Sequence, residues 1–203
     1  KMCFKSPFEL KKVLILGFQS SGKTALMHWI TENKQVATQP TVNCVTKTIN
    51  IGFGTFKNIQ YPKSKLINVA NNLETKRVQP KSKPIQLNDL SGQIDARDRW
   101  IHNAQAVSAI IYVIDPAIDI EEQLIPLAEL LEHPDLQTAQ ILICINKSDK
   151  YPEIDQLQAR LLSLLNEIQE FEEYLRRQFL HTVITNGQNG LGVGGIVEFL
   201  WGV

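Results

Sequence analysis

A chain of 203 residues with 43% hydrophobic and 21% charged residues has the make-up of a soluble globular protein with one sizeable core. Its 21 basic residues balance its 21 acidic ones, which excludes a general electrostatic pull toward nucleic acid or membrane, and no nucleic-acid partner is expected. No apolar run approaches the roughly 18 residues of a membrane span, and the opening KMCFKSPFELKK lacks the core of a signal peptide.

The predicted elements alternate. KVLILGF, Lys12 to Phe18, is a short apolar run ending in Gly, the pattern of a buried strand. KTALMHWITEN reads as a helix, with Ala25, Met27, Trp29 and Ile30 on its apolar face. VNCVTKTINI alternates with period two and reads as a half-buried strand. A basic, turn-rich segment follows, Lys57 to Pro84, with a single acid, Glu74. PIQLNDL is a strand, IDARDRWIHNAQ an amphipathic helix, SAIIYVID a buried strand, EEQLIPLAELLEH a helix and AQILICINKSD a strand with a polar end. One long helix is predicted from Glu153 to Phe179, then a short strand, HTVITN, and a loop and helix, GLGVGGIVEFLWG. Such alternation specifies an α/β fold with a parallel sheet and helices on both faces. Ligands of such sheets bind at the carboxyl ends of the strands.

Five loops at those ends carry chemistry. Gly17 to Thr24, GFQSSGKT, fits G-x-x-x-x-G-K-[ST] between a strand and a helix. There Gly17, Gln19, Ser20, Ser21 and Gly22 would wrap phosphates with backbone N–H groups, aided by the positive end of the helix. Lys23 would reach the β- and γ-phosphates, and the Thr24 hydroxyl would ligate Mg²⁺. INKSD, Ile145 to Asp149, ends a strand. The Asp149 carboxylate can accept both N1–H and the N2 amino group of guanine, which adenine cannot offer. Asn146 would brace the neighbouring loops and the Lys147 stem would cover the base. In NDLSGQ, Asp89 would hold a water on Mg²⁺, the Gly92 N–H would meet the γ-phosphate, and Gln93 would orient an attacking water. In QPTVN, Thr41 either completes the Mg²⁺ shell or merely opens a strand. TNGQNG, with Asn186 and Gly187, would contact guanine O6.

Taken together, GFQSSGKT, PTV, DLSGQ with Arg97 and Trp100 in register behind it, and NKSD resemble the Ras-like small GTPases, and among them the Arf and Arf-like branch. The resemblance runs from about Lys11 to Trp201. It implies a P-loop NTPase fold with a six-stranded, mostly parallel sheet, GTP/GDP and Mg²⁺ as cofactors, and two switch regions around Thr41 and Gln93. It also implies slow GTP hydrolysis, protein effectors, an exchange factor and a GTPase-activating protein, with a role in membrane traffic or in ciliary or organelle transport. Three features depart from the pattern: Ser91 stands where Gly is usual, TNG replaces the usual base loop, and the stretch between the switches is far longer. Residues 1–10 are then an N-terminal extension and 11–203 a single domain, with an insertion at about residues 52–83.

Further expectations follow. Cys44 and Cys144 lie in apolar runs and read as buried thiols of a reducing compartment. With Cys3 rather than Gly after Met2, no myristoylation signal is present, so a cytoplasmic protein is expected, with peripheral membrane attachment left open. The lysines between Lys57 and Lys83 are either a solvated hairpin or a docking surface for an acidic partner or anionic lipid. In the predicted long helix, Ile154, Leu157, Leu161, Leu164, Ile168, Phe171 and Leu175 form a stripe that either lies on the sheet or makes a partner-binding ridge. Arg97 and Arg99 are expected in structural ion pairs. An alternative function is a constitutively GTP-bound docking subunit, similar to the β subunit of the signal recognition particle receptor. An ATPase is disfavoured by Asp149.

Overall fold

A computed structural model describes residues 9–52, 67–68 and 82–203. Its centre is a sheet in the order β2-β4-β1-β5-β6-β7-β3. The strands are β1 (Lys11–Leu16), β2 (Val45–Gly52), β3 (Ile67–Asn68), β4 (Ser82–Asp89), β5 (Val107–Ile114), β6 (Gln140–Ile145) and β7 (Leu180–Ile184). From β4 through β7 the neighbours run parallel. The edge strand β2 is antiparallel to β4, and the two residues of β3 add antiparallel to β7 at the opposite edge. Six strands were expected from the motifs; β3 is a seventh. It falls in the insertion, where no alternating run announced it. The remainder of the insertion, with most of the basic run, lies outside the described residues, as do Cys3 and residues 1–8.

Strand periodicity sorts the core into two layers. Leu14, Leu16, Ile110, Tyr112, Ile114, Ile141, Ile143 and Ile145 point to one face. There α3 (Ile120–Leu131) packs with α4 (Ile154–Glu167) and the short α2 (Asp98–His102) and α5 (Glu172–Arg176). Val13, Ile15, Ala109, Ile111, Val113, Leu142 and Cys144 point to the other, under α1 (Lys23–Glu32) and α6 (Val193–Gly202). Both faces of β5 and β6 are covered, which is why those strands read as unbroken apolar runs.

Cap chemistry sets the helix boundaries. Helix α1 starts at Gly22 in the left-handed region and ends at Asn33, also left-handed, whose N–H returns to Trp29 O. Helix α3 is capped by Asp119, whose Oδ1 accepts from Glu121 N and Glu122 N.

The predicted helix from Glu153 to Phe179 is not continuous. Ile168 adopts φ −86°, ψ 117°, and a 3₁₀ turn (Gln169–Phe171) precedes α5. The break lets Phe171 and Tyr174 enter the core, where the Tyr174 hydroxyl donates to Leu136 O at 3.0 Å. The stripe survives the break: Leu161 and Phe171 are fully buried, and Ile154, Leu157, Leu164, Ile168 and Leu175 pack against the same core. It is a core face, not a free ridge. Similarly, IDARDRWIHNAQ forms only a 3₁₀ turn (Ile94–Ala96) and five-residue α2. Cys144 is buried but Cys44 is exposed, because it precedes the edge strand rather than lying inside the sheet.

Candidate nucleotide site

The loops after β1, β4, β6 and β7, with the segment before β2, converge at one end of the sheet around two adjacent clefts. One is lined by Gln19, Ser20, Gly22, Lys23, Thr24, Thr38 to Thr41 and Gly92. The other is lined by Gly22, Ala25, residues 35–38, Asn146, Lys147, Asp149, Asn186 and Gly187. Gly22, Ala25 and Thr38 belong to both, so the clefts form a continuous path.

In the first cleft the α1 N-terminus is left without a side-chain cap and without acidic residues in its first turn. Its orphan N–H groups and positive dipole end are therefore available to an anion. Gly22 has φ 101°, and a Cβ there would stand 2.1 Å from Asn146 Nδ2. Only glycine fits this junction. Lys23 Nζ donates to Gly17 O at 3.0 Å and Phe18 O at 2.8 Å, holding the loop curled. Burial lowers the Lys23 ammonium to about 8, with Asp89 opposing the shift. A phosphate would supply the negative charge this desolvated cation lacks. Two N–H groups of the loop are already engaged: Gln19 N donates to Gly92 O and Ser21 N to Phe18 O. Gly17 and Ser21 do not line the cleft; their carbonyls accept from Lys23 and Asn146.

Three oxygens meet beside Lys23. Thr24 Oγ1 lies 2.9 Å from Thr41 Oγ1, and both hydroxyls donate to Asp89 Oδ2, at 2.5 and 3.4 Å. Thr41 stands four residues before β2, with its hydroxyl beside Thr24 and Asp89. Asp89 is fully buried, and its Oδ1 has no partner among the described residues. Burial pushes its carboxyl up from the ordinary range, opposed by the Thr24 hydroxyl. An unpaired, desolvated carboxylate oxygen beside two hydroxyls is a donor set for a hard divalent cation, so these residues fit Mg²⁺.

Gly92 packs directly on the phosphate loop. A Cβ at this position would meet Gly17 O at 2.3 Å, Phe18 C at 2.5 Å and Gln19 N at 2.6 Å, all of them backbone atoms that cannot swing aside. Gly92→Ala is therefore expected to break the Gln19–Gly92 hydrogen bond. It should weaken binding of a non-hydrolysable GTP analogue more than binding of GDP in a competition titration. The loop is held from below by Trp100, whose indole donates to Ser91 O at 3.0 Å. Gln93 is half-exposed at the start of the 3₁₀ turn, with its N–H directed to Ser91 Oγ. The expected ion pairs of Arg97 and Arg99 are absent among the described residues. Arg97 instead stacks 3.8 Å over the Phe18 ring, and Arg99 donates to Asn43 Oδ1.

In the second cleft Asn146 ties three loops together. Its Nδ2 donates to Ser21 O at 2.7 Å, and its Oδ1 accepts from Gly187 N at 2.9 Å and Thr185 Oγ1 at 3.2 Å. Asp149 is exposed on the rim. Lys147 sits at φ 58° and its Nζ pairs with Asp115 Oδ2 at 2.5 Å. Asp115 is held in turn by Gln123, which bonds both its N–H and its C=O. Asn186 turns its N–H to Leu191 O and its side-chain oxygen to Gln188 N, while Gly187 C=O accepts from the Trp29 indole at 2.9 Å.

Asp115, Thr185 and Trp29 escaped sequence reasoning. Asp115 directly follows β5, so the rule that ligands bind at strand ends had a signal for it. Trp29 gave none, since an apolar residue on a helix reads as core.

The ADP-ribosylation factor family profile matches residues 3–63 and 60–199 of the chain. ADP-ribosylation factor-like protein 4C of Homo sapiens is 26% identical over 147 residues, covering 71% of this chain and 64% of that protein. ADP-ribosylation factor-like protein 1 of Caenorhabditis elegans is 30% identical over 142 residues, covering 68% of this chain and 62% of that one. The chain thus spans less than two thirds of the length of these relatives.

Proposed function

We propose that this chain, which belongs to the ADP-ribosylation factor family, works as a guanine-nucleotide switch with slow GTP hydrolysis. The observation that carries the reading is the convergence of Lys23, Thr24, Thr41 and Asp89 in one cleft and of Asn146 and Asp149 in the next. The first cleft suits phosphates and the second a base. Thr24 and Thr41 would hold Mg²⁺, with Asp89 behind them through water; the ion would neutralise phosphate charge.

This chain's own groups do the rest. Lys23 and the α1 N-terminus bind phosphate. Asn146 sets the spacing of the base loops, Asp149 selects guanine and Gly187 borders it. Thr41 and Gly92 come from the two segments that flank the inserted stretch, and both face the first cleft. A γ-phosphate would draw on both, and its loss would release them. Gln93 would orient the attacking water. No arginine lies in the phosphate loop, and Arg97 is committed to Phe18, so an activating protein would supply the missing cation. Gln93→Leu is expected to slow single-turnover hydrolysis at least about tenfold, with GDP affinity unchanged. Equal hydrolysis by both forms would remove Gln93 from this role.

Effectors, an exchange factor and an activating protein are the expected partners, in membrane traffic or organelle transport. No helix among the described residues is long and apolar enough to cross a membrane. The free thiols of Cys44 and Cys144 support a reducing, cytoplasmic setting. The docking-subunit alternative drew on a long helix, which the break at Ile168 removes, and on the inserted loop, most of which lies outside the described residues; no observation favours it.

A further inference from the structure

Gln93 sits between two points at which its segment is fixed to the phosphate loop. On one side, Gln19 N donates to Gly92 O at 3.1 Å, and the Trp100 indole holds Ser91 O from below. On the other side is Arg97. Its guanidinium lies 3.8 Å over the ring of Phe18, the residue between Gly17 and Gln19. Phe18 is 7% exposed, so its ring is a fixed platform. A single 3₁₀ turn joins Gln93 to Arg97, closed by Ala96 N to Gln93 O at 3.0 Å and Arg97 N to Ile94 O at 3.1 Å.

Little else holds that turn. Of its residues only Ala96 is buried, and Ile94 is 76% exposed. The next anchored side chain is Trp100, three positions beyond Arg97. The stack takes the place of the ion pair expected of Arg97, whose Nε is buried and has no hydrogen-bond partner among the described residues. A cation held over an aromatic face away from water is at the strong end of such contacts, because hydration no longer competes for it. The planar guanidinium can lie flat on the ring, which an ammonium cannot.

A guanidinium here has two roles open to it. Its charge adds to burial in lowering the Lys23 ammonium, so it stands near the phosphate loop and could act on phosphate charge directly. The other role is to hold the turn. Neither Arg97 nor Phe18 lines either cleft, and this geometry favours the second. We infer that Arg97 is a positioning residue: stacked on Phe18, it holds the 3₁₀ turn against the phosphate loop and so keeps Gln93 where it orients water toward the γ-phosphate. This rests on the guanine-nucleotide reading above.

The test compares single-turnover GTP hydrolysis, with Mg²⁺, by the native chain, Arg97→Met, Phe18→Leu, the two combined, and Arg97→Met in a Gln93→Leu background. GDP titration and thermal melting of each GDP complex accompany it. Arg97→Met keeps the unbranched stem on a partly exposed turn, which guards against misfolding at the buried Phe18. Each single change is expected to slow hydrolysis about fivefold or more, with the Kd for GDP within about twofold of native. The combined variant should be no slower than the slower single one, since both remove the same contact. With Gln93→Leu present, Arg97→Met should change the rate by less than about twofold. Faster hydrolysis by Phe18→Leu would mean that the ring restrains a cation acting on phosphate directly. That result overturns the inference. So does an unchanged rate in Arg97→Met, a parallel loss of GDP affinity, additive losses in the combined variant, a further loss behind Gln93→Leu, or a native chain that binds GTP without hydrolysing it. All of these leave nucleotide binding standing; failure of the native chain to bind GDP and GTP overturns both.

Discussion

Replacing Asp149 by Asn is expected to lower the affinity for GDP by about a hundredfold or more and to raise that for xanthosine diphosphate above it. A carboxylate offers only acceptors, and it faces two donors of guanine, N1–H and the N2 amino group. Losing the charge-assisted bond to the N2 amino group costs about 1.5–3 kcal/mol and leaving that donor unpaired costs about 1–3 kcal/mol more, so the loss is about 3 kcal/mol, a hundredfold in Kd. An asparagine amide keeps one acceptor for N1–H but sets its own N–H against the N2 amino group. Xanthine carries a carbonyl at that position, which the amide N–H can satisfy. The exposed place of Asp149 on the rim, next to the Asn146 and Lys147 of the same loop, leaves its carboxylate free to meet a base. Competition of both diphosphates against a fluorescent nucleotide reads the reversal. Unchanged GDP binding would mean that Asp149 does not contact the base.

Asn146→Ala is expected to destabilise the nucleotide-free protein by about 3 kcal/mol or more. Asn146 is 2% exposed. Its loss removes the donor to Ser21 O and the acceptor shared by Gly187 N and Thr185 Oγ1. Each buried group left without a partner costs about 1–3 kcal/mol. For a chain of this size that lowers Tm by about 6–12 °C. Nucleotide affinity should fall as well, because the phosphate loop and both base loops lose their common brace. Asn146→Asp keeps an acceptor for Gly187 but turns a carboxylate against Ser21 O, so it should not rescue. A Tm within about 1 °C of native would show that the three loops hold their places independently.

The legible parts of this protein are those whose signal is local. GFQSSGKT names its own context, because the strand, both glycines, the lysine and the helix lie within a few residues. INKSD became specific only at its distance from that loop. Asn146 as a brace followed from its place at the end of a buried strand. Asp115, Trp29 and the Arg97 stack were not legible for the opposite reason. Each is an ordinary residue whose meaning lies in a distant partner: Lys147 for Asp115, Gly187 for Trp29, Phe18 for Arg97. The long helix misled because hydrophobic spacing continues across Ile168 while the backbone does not; the stripe records what is buried, not the hydrogen bonding beneath it. Cys44 misled similarly, since an apolar neighbourhood in sequence says nothing of a strand's place at the sheet edge. Strand β3 pairs with β7 across more than a hundred residues, beyond any window of periodicity.

The most direct test of the switch reading is base selectivity. With Mg²⁺ present, GDP and ADP compete against a fluorescent guanine nucleotide on the native chain. The account predicts displacement by GDP at concentrations about a thousandfold below those needed for ADP, as expected of a site whose carboxylate pairs with one base and is left unpaired by the other. Equal displacement by the two, or no binding of the fluorescent nucleotide, would contradict it.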